Sequence, residues 1–137
     1  MIRPFQLDDA DEVVGVWQAA GLVRPWNDPY EDIARKVEVG DGLFLVAEHD
    51  GKVIGTVMAG YDGHRGWIYY LAVRPPHQRG GWGSRLLAAA EQMLAERGCP
   101  KINLQVRTDN REAVGFYTAA GYTPDAVTSL GKRLVID

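Results

Sequence analysis

Trp67-Ile-Tyr-Tyr-Leu-Ala-Val73 leads through Arg74-Pro-Pro-His77 into Gln78-Arg-Gly-Gly-Trp-Gly-Ser84 and then Arg85-Leu-Leu87. The apolar run reads as a strand, Pro75 and Pro76 turn the chain, and three glycines flanked by Arg79 and Arg85 precede a helix. That helix, from Ser84 to Arg97, carries Leu86, Leu87, Ala90, Met93 and Leu94 as an apolar stripe and closes at Gly98 and Pro100. A strand that enters a helix through glycines presents free backbone N–H groups at the positive end of the helix dipole, which suits a phosphate or pyrophosphate. The plain alternative is a turn that only lets strand and helix pack closely. Two familiar phosphate loops do not fit: Leu86 stands where the dinucleotide fingerprint needs a third glycine or alanine, and Gly131-Lys132-Arg133 lacks the rest of a nucleotide P-loop.

Working outward, Leu7 to Gly21 has the pattern of a first helix, with Asp8 as its cap and Val13 and Trp17 on its inner face. Asp28-Pro-Tyr-Glu31 starts a second, with Asp28 as cap and Pro29 in the first turn. Leu43 to Glu48 and Lys52 to Gly60 form a hairpin around Asp50-Gly51. Beyond the central helix, Lys101 to Val106 alternates as a strand, Asp109 opens a helix that ends at Gly121, and Val127 to Ile136 reads as a last strand. The order is helix, helix, hairpin, strand, helix, strand, helix, strand, which defines an α/β domain on a mixed sheet with two strand-to-helix crossovers.

At 137 residues with 46% apolar side chains, the chain is long enough for one core, so residues 1–137 are expected to form a single domain. A formal charge of −3 without a basic block argues against nucleic acid or a polybasic membrane anchor. There is no apolar run near twenty residues, and Met1-Ile-Arg-Pro4 lacks the layout of an export signal, so a cytoplasmic protein is expected. Cys99 is the single cysteine, which leaves no internal disulfide, and nothing spaces three ligands for a metal.

Gln78-Arg79-Gly80-Gly81-Trp82-Gly83 resembles the acetyl-CoA loop of the GNAT superfamily of N-acetyltransferases, and Leu71-Ala-Val73 precedes it at that family's spacing. Asn110-Arg-Glu-Ala-Val-Gly-Phe-Tyr117 with Gly121-Tyr122 is similar to the family's second signature. Arg24-Pro-Trp-Asn-Asp28, Gly60 to Gly66 and Ser129 to Leu134 look like the YpeA-type branch of uncharacterised acetyltransferases. The resemblance implies a GNAT fold, a mixed and mostly antiparallel twisted sheet with central splayed parallel strands and about four helices. It also implies acetyl-CoA as co-substrate, no metal, and direct transfer of the acetyl group to a primary amine. The amides of Arg79, Gly80, Gly81, Trp82, Gly83 and Ser84 would hold the pyrophosphate, with Gln78 opening the loop and Arg79 and Arg85 adding charge. Leu71, Ala72 and Val73 would line pantetheine, and the Leu71 amide would face the thioester carbonyl. Tyr117 would act as general acid, and Asn110 would contact the coenzyme arm.

The base is open, because Trp67 stands where many relatives carry a glutamate. Glu48, Asp62, His64, or a water relayed by Tyr69 or Tyr70 could serve, and an amine arriving neutral would need none. For the acceptor, Trp26 and Tyr61 could form an apolar wall, Asp28 or Asp62 could attract an ammonium group, and Arg24 and Arg65 point instead to a carboxylate. Three readings remain: a small-molecule or amino-acid acetyltransferase, a protein amino-terminal acetyltransferase acting on a peptide amine, and a coenzyme-A-holding module that transfers nothing. A last strand at Leu130 to Ile136 could also pair across a homodimer.

Overall fold

A computed structural model describes residues 1–137 and divides them into two compact units, Met1–Leu104 together with Asp137, and Gln105–Ile136. The first unit holds all five strands: β1 (Ile2–Pro4), β2 (Phe44–His49), β3 (Lys52–Tyr61), β4 (Gly66–Val73) and β5 (Ile102–Leu104). They lie in sequence order, antiparallel from β1 to β4 and parallel between β4 and β5. Three helices belong to this unit, α1 (Ala10–Ala19), α2 (Pro29–Val39) and α3 (Trp82–Glu96). No helix is long and apolar enough to cross a membrane.

Local sequence explains most of these elements. Asp28 accepts hydrogen bonds from the N–H groups of Tyr30 and Glu31, Pro29 occupies the first turn, and Gly40 closes α2 at φ 67°. Asp50 and Gly51 both have positive φ, 51° and 75°, as a two-residue hairpin turn of matching twist requires. α1 is preceded by a 3-10 turn at Leu7–Asp9, so the cap position falls on Asp9 rather than Asp8, and the Asp9 carboxylate caps no α1 amide: it accepts from the Gln6 N–H and takes both guanidinium nitrogens of Arg3.

α1 covers one face of the sheet, where Val13, Val14, Val16 and Trp17 pack with Phe44, Val46, Val53, Met58 and Ala72. On the other face Gly55 has no room for a side chain, since a Cβ there would lie 2.9 Å from Leu86 Cδ1 of α3 and 3.1 Å from the Ala72 carbonyl. Leu86, Leu87, Ala90 and Leu94 of α3 are buried, as their spacing predicts.

The second unit contains α4 (Arg111–Ala119), capped by Asn110, whose side chain accepts from the Ala113 N–H at 3.1 Å. Its remaining residues carry no strand, which corrects the expectation for Val127 to Ile136. Val127, Leu130, Leu134 and Ile136 are 78 to 93% exposed there. A strand needs an edge to pair with, and this unit contains no other strand. At the other terminus β1 went unread, because three residues containing a proline carry no alternation.

Candidate active site

Antiparallel pairing of β3 and β4 matches Thr56 with Ala72 and Met58 with Tyr69, so Val57 alone faces both Tyr70 and Leu71. This is a β-bulge on β4, and Tyr70 takes the left-handed conformation in it, φ 51°. For a bulky residue that conformation costs about 1–2 kcal/mol. Several contacts fix it there. The Tyr70 ring stacks on Trp17 at 3.7 Å between centroids, its hydroxyl donates to Asp32 Oδ2 at 2.6 Å, and Asn27 Nδ2 donates to that hydroxyl at 3.2 Å. Asn27 Nδ2 also donates to Asp32. Burial, aided by the Asp32 carboxylate, pushes the Tyr70 phenol above its usual range.

The β4–β5 ladder pairs Gly66 with Ile102, Trp67 with Asn103 and Ile68 with Leu104, and stops there. The β4 residues from the bulge onward thus run past the ladder's end. The Arg74 N–H donates to the Ile54 carbonyl of β3, so by alternation the Val73 N–H faces the opposite side, the one the ladder has left.

After β4 a 3-10 turn at Pro75–His77 leads into the glycine loop. Arg79 at φ 68° and Gly81 at φ 85° are both left-handed, and α3 begins at Trp82, two residues ahead of expectation. Gly81 caps α3 without a side chain, and the first helical bond runs from the Arg85 N–H to the Gly81 carbonyl. The amides of Trp82, Gly83 and Ser84 therefore have no partner within the helix and cluster at its start. A helix start of this kind can hold an anion such as a pyrophosphate. Arg85 is braced over the Trp82 ring at 4.2 Å, and His49 packs edge-on against Trp82 and His77. Gln78 donates from Nε2 to the Val73 carbonyl at 2.9 Å, a brace that ties the loop back onto β4.

The remaining sequence-predicted residues fall in distinct places. Glu48 sits 3.5 Å from Arg3, the guanidinium that also holds Asp9. Asp62 accepts from the His64 and Arg65 N–H groups at 2.8 Å each and from Trp67; the two backbone donors chiefly hold its carboxyl below the usual range. Tyr61 ends β3, and Asp62 and Arg65 lie in the connection to β4, at the end of that strand away from the glycine loop. Asn27, inside the Arg24–Asp28 stretch, is brought to the bulge instead. Arg24 donates to the Gly21 carbonyl, Trp26 is about half exposed, and Asp28 is occupied as the α2 cap. Trp67 and Tyr69 stack at 6.4 Å between centroids, with Tyr69 half exposed.

In the second unit, Tyr117 lies edge-on to Phe116 and Tyr122, and burial pushes its phenol up to about 12. Sequence reasoning passed over Trp17, Thr56, Asn27 and Asp32 as contributors to the Tyr70 bulge of the first unit. A lone threonine in the apolar run Val53 to Met58 was the one available signal.

A mixed sheet with a bulged fourth strand, followed by a glycine-capped helix, defines an α/β fold. The family model described as "Acetyltransferase (GNAT) family" matches residues 7–122, and the chain belongs to that family. A protein of Yersinia pestis (strain Pestoides F) named "Acetyltransferase" is 48% identical over 136 residues, 99% of this chain and 96% of that protein. Among solved structures, Ard1 from Thermoplasma volcanium superposes with a TM-score of 0.78 at 26% identity, covering 92% of this chain and 84% of that one. The PaiA N-acetyltransferase of Thermoplasma acidophilum in complex with coenzyme A gives a TM-score of 0.81 at 19% identity over 93% and 92% of the two chains, a likeness of fold.

Proposed function

We propose that this chain is an N-acetyltransferase that moves an acetyl group from acetyl-CoA directly to a primary amine. The observation that carries the reading is the pairing of two features on one strand: the amide cluster after β4, and the bulge that coincides with the end of the β4–β5 ladder. The family match from residue 7 to 122 passes through both units, which supports treating residues 1–137 as one catalytic domain.

In this reading Trp82, Gly83 and Ser84 donate their N–H groups to the pyrophosphate, and Arg79 and Arg85 supply positive charge. Gln78 acts through the loop's shape, by its bond to the Val73 carbonyl. The Val73 N–H gives pantetheine a strand-like partner. Acetyl-CoA supplies the acetyl group as a thioester. The Leu71 N–H donates to the carbonyl oxygen as negative charge gathers on it, an effect worth about 3–4 kcal/mol where one such donor has been removed elsewhere. As the C–S bond breaks, Tyr117 gives its proton to the leaving sulfur, and the proton shed by the attacking nitrogen returns through water to the Tyr117 phenolate; a phenol that burial raises to about 12 is protonated at neutral pH and available for this. Glu48 is paired with Arg3, and a carboxyl lowered as Asp62 is makes a weak base; a water relayed by Tyr69 or Tyr70, or His64, is the base, or the amine arrives neutral and needs none. Asn27, Trp26 and the Trp67–Tyr69 stack line the acceptor side.

The test is calorimetry of acetyl-CoA binding together with thiol release across amines, amino acids and short peptides. Saturable binding with acceptor-dependent release is the expected result. Binding without release from any acceptor would favour a coenzyme-holding module, and an absence of binding would overturn the reading of Gln78 to Ser84.

A further inference from the structure

Resting on that reading, we infer that Thr56 is a positioning residue for transfer: its buried hydroxyl fixes the bulge that aims the Leu71 N–H. Thr56 is fully buried on β3, beside the point where Val57 faces two residues of β4. Its hydroxyl accepts a hydrogen bond from Trp17 Nε1 at 2.9 Å and donates one to the Tyr70 carbonyl at 2.7 Å. The acceptor of that second bond matters most. The Tyr70 carbonyl and the Leu71 N–H belong to one rigid peptide plane, so whatever sets the direction of the carbonyl sets the direction of the N–H.

A bulge leaves one residue out of the ladder, and its backbone groups must find partners elsewhere. Here a side chain from the neighbouring strand takes that place. The hydroxyl can rotate to suit either neighbour, but with Trp17 already donating to it, its single proton is committed to Tyr70. Trp17 is fully buried, so the orientation is set by the core rather than by solvent. The Tyr70 side chain is also held, by the Trp17 ring and by Asp32 and Asn27, so both ends of the left-handed residue are restrained. The result is a preorganised donor, the kind of group whose misplacement by about 1 Å costs on the order of a hundredfold in rate.

Three variants test the role. Thr56→Val keeps the shape and removes the hydroxyl, Thr56→Ser keeps the hydroxyl, and Trp17→Phe removes the donor to Thr56 while leaving the Thr56–Tyr70 bond. Each is followed by kcat, by KM for acetyl-CoA, and by the Leu71 amide chemical shift compared between the acetyl-CoA and coenzyme A complexes, which differ in the thioester carbonyl. Expected for Thr56→Val is a kcat lowered roughly ten- to a hundredfold with KM changed by less than about threefold, and a Leu71 shift difference that collapses. Thr56→Ser restores both, and Trp17→Phe, which keeps the Thr56 hydroxyl but frees its proton from the indole, lowers kcat less than Thr56→Val does. Should the valine variant not fold, Thr56→Ala carries the same test without pressing a methyl against the indole N–H. A hydroxyl-free variant with normal kcat and an unchanged Leu71 shift difference overturns the inference. Failure of the wild-type chain to bind acetyl-CoA would instead overturn the proposed function, and a wild-type chain that binds but shows no Leu71 shift difference would overturn the placement of the donor at Leu71.

Discussion

Tyr117 and Asp9 show how surroundings move two titrations in opposite directions, burial raising the one and a guanidinium partner lowering the other. Burial raises the Tyr117 phenol to about 12, so it carries its proton through the neutral range and imposes no falling limb on a rate profile until strongly alkaline pH. Tyr117→Phe should lower kcat by about a hundredfold or more while leaving acetyl-CoA binding near its wild-type value, as steady-state kinetics and calorimetry would show. Asp9 is the reverse case. Arg3 donates to both of its oxygens at 2.8 and 2.9 Å, and this, with the Gln6 N–H, holds the carboxyl below its usual range. A depressed carboxyl contributes stability above the unfolded value of about 4 and loses it as pH falls through the lower folded value. Asp9→Asn should therefore cost about 1.5–3 kcal/mol at neutral pH, with the gap from wild type closing below about pH 4 in urea titrations. Of these two residues the sequence exposes one. Tyr117 is legible through its surrounding pattern, whereas the partnership of Asp9 with Arg3 depends on β1, which three residues could not announce.

Among the elements, those that depend on their own residues were readable and those that depend on distant partners were not. The α2 cap, the Asp50-Gly51 turn and the stripe of α3 follow from local chemistry. The expected strand at Val127 to Ile136 fails because pairing is supplied by another segment. The bulge at Tyr70 and Leu71 could be anticipated only by resemblance, since the threonine that stabilises it stands fourteen residues earlier on another strand. Gly55 belongs to this second class as well. Its lack of a side chain lets α3 approach β3, with Leu86 Cδ1 and the Ala72 carbonyl in the space a Cβ would need. Gly55→Ala should destabilise the chain by about 1–3 kcal/mol, read as a lower urea midpoint with an unchanged slope, because backbone on one side cannot yield.

For the molecule as a whole, the strands divide into a local set and a distant one. β2, β3 and β4 follow one another with short connections and pair antiparallel, while β5 reaches its parallel place only after α3 has crossed the sheet. Native-state hydrogen exchange should accordingly show the slowest amides in β2 to β4 and faster ones in β5, whose ladder is three pairs long. Uniform protection across all five strands would contradict this. Low contact order in the meander and high contact order in the crossover also set a sequence of assembly. The β2–β4 meander can close first, the Tyr70 bulge is fixed once Trp17, Asn27 and Asp32 reach it, and the amide cluster of the glycine loop acquires its shape only when α3 docks. A chain halted between those two steps would have its core strands joined and its catalytic geometry half written, yet be blind to its ligand. Coenzyme binding would then act on the last stage of folding alone, stabilising the finished protein against a partly assembled form that already contains most of its sheet.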